Sequence, residues 1–160
     1  MRDTVRGDRV MWAGDVDGGS IEGEGIEGEG VEGEGVEYGG VDDGLTERII
    51  ACIIRVHRTL GPGFVESIYR NALLIELRKC GLATDVERLV VIHYDGYAVG
   101  RHRVDLVVEE QIIVELKTVT TLNTVHYAQV KSYLKATNLD LALLVNFAGR
   151  KADFRRIECP

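Results

Sequence analysis

The stretch RVDLVVEEQIIVELKT, residues 103–118, constrains the fold more than any other part of the chain. Its apolar residues fall in two short runs separated by Glu109-Glu110-Gln111, and each run reads as a buried strand. With those three residues as the loop, Val108 faces Ile112, Leu106 faces Val114 and Val104 faces Leu116, giving one wholly apolar sheet face. Alternation then fixes the other face. Asp105 lies opposite Glu115, Val107 opposite Ile113 and Arg103 opposite Lys117, with Glu115 and Lys117 roughly 7 Å apart along one strand. A two-residue loop would set Asp105 against Val114, so the apolar pattern itself favours two carboxylates side by side with an ammonium one step away.

Burying charge without a partner or a cation is costly. Two adjacent carboxylates also repel and raise one another's pKa unless a cation sits between them. Oxygen ligands arranged this way suit Mg²⁺ or Mn²⁺, which keep several waters and share coordination with phosphate. Lys117 could then orient or deprotonate a water, or stabilise charge developing on phosphorus. Taken alone, an E-x-K triplet is common, and a solvated hairpin face with an ordinary ion pair is the simpler account of it.

The rest of the chain divides into two parts. Between residues 21 and 40 it runs IEGEG, IEGEG, VEGEG, VEYGG, a five-residue repeat that should stay disordered, because glycine is costly to order, like charges repel and one aliphatic per five residues buries too little. Of the 26 acids, 13 fall in residues 1–44 beside 3 arginines, which leaves 13 acids and 16 bases in residues 45–160. The acidic tail, residues 1–44, thus carries -10 and residues 45–160 carry +3, which sum to the chain's -7; the part expected to fold is mildly basic, compatible with a polyanionic partner without demanding one. The tail reads as a solubilising segment. Three scattered cysteines with no CxxC spacing fit a reducing compartment and a packing role. No apolar run approaches a signal-peptide core or a membrane span, so a cytoplasmic, membrane-free protein is expected.

From Leu45 the periodicity is helical through Ile49, Ile50, Ile53, Ile54 and His57, stopped by Gly61-Pro62-Gly63. A second helix is expected from about Phe64 to Lys79, burying Ile68, Ala72, Leu73, Ile75 and Leu77 and stopped by Gly81. Val86–Tyr94 and the segment from Tyr97 flank Asp95-Gly96, a strong two-residue hairpin turn. Asn123 or Thr124 can cap a third helix reaching about Ala136, followed by a buried strand at Leu141–Phe147 and an edge strand at Phe154–Glu158. The order predicts an α/β fold, a mixed central sheet flanked by helices.

Asp105, nine residues and then Glu115-Leu116-Lys117 resembles the D-x(n)-E-x-K signature of the PD-(D/E)XK nuclease superfamily. Gln129-Val130-Lys131-Ser132-Tyr133 is similar to the QxxxY motif of its exonuclease branch, and Gly63-Phe64-Val65-Glu66-Ser67-Ile68-Tyr69 to the GxxExxY motif that names a small family assigned to the same fold. Three motifs in order are far more specific than one. The resemblance covers about residues 45–158 and implies a restriction-endonuclease-like core. It implies Asp105, Glu115 and Glu66 as carboxylate ligands of Mg²⁺ or Mn²⁺, the Leu116 carbonyl as a further ligand and Lys117 as the group positioning the nucleophile. Gln129 and Tyr133 share a helix face and could hold the substrate or its water, with Tyr69 and Arg103 as further contacts to nucleic acid. His57, on the apolar side of the first helix, reads as a satisfied structural histidine, and His126 as a surface residue.

The expected activity is metal-dependent hydrolysis of phosphodiester bonds, in DNA foremost, by a metal-activated water. The alternative is a non-catalytic module that binds nucleic acid or a protein on the same fold. The domain is small, so a homodimer or a protein partner is expected to help it grip its substrate.

Overall fold

The computed structural model describes residues 43–159. The acidic repeat, expected to be disordered, lies outside the described residues. Three helices and five strands follow in the order α1 (Asp43–Leu60), α2 (Glu66–Lys79), β1 (Thr84–Tyr94), β2 (Tyr97–Val108), β3 (Ile112–Lys117), α3 (Thr124–Thr137), β4 (Leu141–Asn146) and β5 (Asp153–Glu158). The strands form one sheet in the order β1-β2-β3-β4-β5. Only β3 and β4 run parallel, joined through α3, and the other pairs are antiparallel. This is the mixed α/β sheet that the sequence predicts.

α1 buries Leu45, Ile49, Cys52, Ile53 and Val56, a stripe at helical spacing, and begins at Asp43 rather than Leu45. Gly61, at φ 67°, ends it by donating its N–H to the His57 carbonyl at 2.8 Å. α2 starts at Glu66, not Phe64, and its buried face differs from expectation. Tyr69, Leu73 and Leu77 point inward at spacing four, while Ile68 and Ile75 are exposed. The stop at Gly81 is as expected: Leu82 N–H reaches the Leu77 carbonyl and Gly81 N–H the Arg78 carbonyl, a Schellman closure that also buries Leu82.

Asp95 and Gly96 both have positive φ, as the two-residue turn between Tyr94 and Tyr97 requires. Glu109 and Glu110 do too, and Glu109 seals the loop by accepting the Ala83 N–H on Oε1 at 2.7 Å. This three-residue loop produces the expected register of β2 on β3, with Val108 opposite Ile112, Val107 opposite Ile113 and Leu106 opposite Val114. The regular pairing stops there. The predicted Val104–Leu116 face is not continuous: Leu116 packs on the α1/α2 side, whereas Val104 packs with Val107 and Ile113 on the α3 side. The hairpin changes sides between Leu106 and Val104, at Asp105 and near Glu87, which has a positive φ of 52° within β1.

Two cores result. Leu106, Val108, Ile112, Val114 and Leu116 face α1 and α2, while Ile113, Ala142 and Leu144 face Val130, Tyr133 and Leu134 of α3. Each buried Val, Leu or Ile contributes about 1.5–3 kcal/mol. A one-residue slip of β3 would drive Glu115 into the α1/α2 core, so the apolar pattern and the charge cooperate in setting register.

Candidate active site

The polar groups gather where β3 parts from β2 while staying paired with β4. Beyond the Leu106–Val114 pair, the Asp105 side chain takes over from the backbone ladder, with Oδ2 accepting the Leu116 N–H at 2.9 Å. This bond pins Asp105 beside the E-x-K segment. Glu115 is 4% exposed; its Oε1 accepts from Lys117 Nζ at 2.8 Å, while Oε2 is buried without a hydrogen-bond partner. Burial, then the Asp105 carboxylate, push the Glu115 carboxyl up to about 7, against the pull of Lys117. Glu115 is therefore poised between charged and neutral near pH 7.

Glu66 does arrive from α2, but its Oε1 accepts the Thr118 N–H at 3.2 Å, just past Lys117. Among the described residues, no three His, Cys, Asp or Glu side chains converge as a metal cage. Of the three expected carboxylates, Asp105 and Glu115 lie together, while Glu66 bonds the backbone of the adjoining loop. That pair still fits a divalent cation. Magnesium needs only one or two carboxylates and keeps its remaining positions for water and phosphate, and Glu115 Oε2 is a buried oxygen without a hydrogen-bond partner.

Gln129 Nε2 donates to the Tyr133 hydroxyl at 2.7 Å, so the predicted i, i+4 pair does form. Tyr133 is 3% exposed, stacked edge-on against His102, and its phenol is pushed up to about 12 by burial and then by the Glu115 carboxylate. It stands behind Glu115 as a wall of the site rather than on a surface that a strand could touch. Tyr69 is corrected more sharply. It is fully buried, stacked on Phe147, and donates to the Gly61 carbonyl at 2.6 Å while accepting the Phe64 N–H, which closes the GxxExxY loop internally. Nucleic acid cannot reach it. Arg103, expected opposite Lys117, is exposed and 3.6 Å from Glu87. His57 bonds the Gly149 carbonyl through Nε2, a structural role as expected, and His126 Nδ1 accepts the Asn123 N–H in a capping box for α3.

Two residues escaped the sequence reading. Arg70, one turn after Glu66, places Nη1 3.6 Å from Asp105 Oδ1 and 3.1 Å from Glu87, with its Nε buried and unpartnered. The i, i+4 spacing from Glu66 was the available signal. Asn146 ends β4 opposite Lys117; its amide donates to the Val119 carbonyl at 2.7 Å and accepts the Val119 and Ala148 N–H groups. It clamps the loop after Lys117. A polar residue closing an otherwise apolar strand was its only mark in the sequence.

Residues 43–157 match the family model of the PD-(D/E)XK nuclease superfamily. The chain belongs to that superfamily. A search of curated proteins finds no match. Among solved structures, a protein named SSO0001 is similar at 23% identity and TM-score 0.47, covering 59% of this chain and 50% of that one. This chain therefore spans half the length of that relative. An alkaline exonuclease from Laribacter hongkongensis is similar at 13% identity and TM-score 0.36, covering 72% of this chain and 82% of its own. In this PD-(D/E)XK domain no helix among the described residues is long and apolar enough to cross a membrane.

Proposed function

We propose that the domain is a metal-dependent nuclease of the GxxExxY kind that hydrolyses phosphodiester bonds, with DNA as its substrate. The observation that carries this reading is the buried Glu115 carboxylate, one oxygen bonded to Lys117 and the other unpartnered beside Asp105. Asp105 and Glu115, with the Leu116 carbonyl, would hold Mg²⁺ or Mn²⁺. When bound, such an ion supplies Lewis acidity to the phosphodiester and to the attacking water.

The chain's own groups do the rest. Leu116 N–H fixes Asp105, so the two carboxylates stay juxtaposed despite their repulsion. Lys117 Nζ is held by Glu115 Oε1, which orients its remaining protons toward a nucleophilic water or a non-bridging phosphate oxygen. Tyr133 and the neighbouring apolar wall keep bulk water from the inner side of Glu115, and Gln129 fixes that phenol. Glu66 holds Thr118, and Asn146 holds Val119, so the strand end carrying Lys117 has little freedom.

The deciding experiment offers linear, circular, single-stranded and double-stranded DNA, with an RNA control, in Mg²⁺, Mn²⁺ or EDTA. Cleavage that needs the metal and is lost in a folded Lys117→Ala variant supports the enzyme. Binding without cleavage under every metal supports the non-catalytic module instead.

A further inference from the structure

Away from the site, two thiols meet. Cys52 Sγ of α1 lies 3.4 Å from Cys80 Sγ, the residue that caps the C-terminus of α2. Both cysteines are free, 28 residues apart in sequence. The two differ in access. Cys52 is fully buried, whereas Cys80 is half-buried at the helix end, beside Arg48, whose guanidinium donates to the Cys80 carbonyl at 2.7 Å. A disulfide needs the sulfurs about 2.05 Å apart, an approach small enough for side-chain rotation with slight yielding of the helix end. The third thiol, Cys159, packs on the opposite, α3-side core and cannot join them.

We propose that Cys52 and Cys80 form a peroxide-oxidisable dithiol, with Cys80 the reacting thiol and Cys52 the resolving one. In the first step the Cys80 thiolate attacks hydrogen peroxide: an S–O bond forms, the O–O bond breaks, and the departing hydroxide takes a proton to leave as water. The Cys80 sulfenic acid then faces Cys52. Cys52 sulfur bonds to Cys80 sulfur, the S–O bond breaks, and the hydroxyl leaves with the Cys52 proton as a second water. Burial and then the neighbouring Cys80 push the Cys52 thiol up to about 12, which makes it a poor first reactant and keeps it protonated until a sulfenic acid is presented. The product would staple α1 to the end of α2, the helix whose other end carries Glu66 and Arg70.

The test treats the full chain with hydrogen peroxide, blocks remaining thiols and maps tryptic peptides without reduction. The expected result is a cross-link between the peptides of residues 49–55 and 80–88, lighter by two hydrogens than the pair, reversed by dithiothreitol and unaffected by Cys159→Ser. A rise in Tm of about 5–15 °C should accompany it, since the bridge closes a loop of 28 residues. Cys52→Ser should instead leave a Cys80 sulfenic acid that dimedone traps. Sulfinic acid on Cys80 with Cys52 still free in the wild-type chain, or cross-links only between molecules, would overturn the proposal. Peptide mapping of the wild-type protein decides even if a cysteine variant does not fold.

Discussion

Lys117 Nζ stands 2.8 Å from Glu115 Oε1, two residues along the same face of β3, and the pair is nearly sealed from water. A buried ion pair of this kind contributes little net stability, because desolvation offsets the attraction. Its value here lies in geometry: it fixes an ammonium beside a carboxylate whose other oxygen is unpartnered.

Lys117→Ala should therefore separate stability from catalysis. Glu115 can take up a proton once its partner is gone, so the loss of stability should be about 1–3 kcal/mol rather than the larger penalty of a stranded charge. Cleavage should fall at least about 100-fold. Urea unfolding and single-turnover cleavage on the same samples check both, and near-normal cleavage would remove Lys117 from the mechanism.

The pH dependence of stability carries a sign. Glu115 titrates near 7 in the folded protein against 4.5 ordinarily. Between those values the unfolded chain loses its proton first, so this group's contribution to stability declines as pH rises from about 4.5 to 7 and then levels, a loss of about 3 kcal/mol. Glu115→Gln has no such proton. It should match the wild type near pH 4.5 and exceed it at pH 8 by up to about 3 kcal/mol in urea unfolding, while abolishing cleavage. A variant less stable than wild type at pH 8 would contradict the burial of an ionised Glu115 as a cost to the fold.

Tyr69→Phe tests the corrected role of the GxxExxY tyrosine. Its hydroxyl donates to Gly61 and accepts from Phe64, so removal should cost about 1–2 kcal/mol of stability. DNA affinity, measured by anisotropy at a temperature where both proteins are folded, should not change.

Asn146→Ala leaves two N–H groups and a carbonyl of the adjoining loops without their partner. A stability loss of about 2–3 kcal/mol and a cleavage defect of about 10-fold or more are expected, because the strand end bearing Lys117 is freed. Hydrogen exchange at Val119 should speed up in the variant, and unaltered protection there would show that the clamp is not needed.

What could be read from the sequence was whatever depends on neighbours along the chain. The β2–β3 register followed from alternation and a three-residue loop, and the Asp95-Gly96 turn from its need for positive φ. Long-range partners were invisible. Arg70 and Asn146 act through residues 35 and 27 positions away, and Tyr69 looked like a site residue because nothing local tells that Phe147 stacks on it. The buried face of α2 was misjudged since Ile68 and Ile75 are apolar yet exposed, and Val104 because Glu87 and Asp105 turn the hairpin over between the two cores. Glu66 stands at the strand end bonded to a backbone amide, a partner that no local pattern announces.

The central claim is that Asp105 and Glu115 capture a divalent ion together. Crystals soaked in Mn²⁺ test it most directly, through anomalous scattering. A peak is expected between the two carboxylates, absent in Glu115→Gln crystals; a featureless map at that edge, with Glu115 still bonded only to Lys117, would contradict joint capture of the ion.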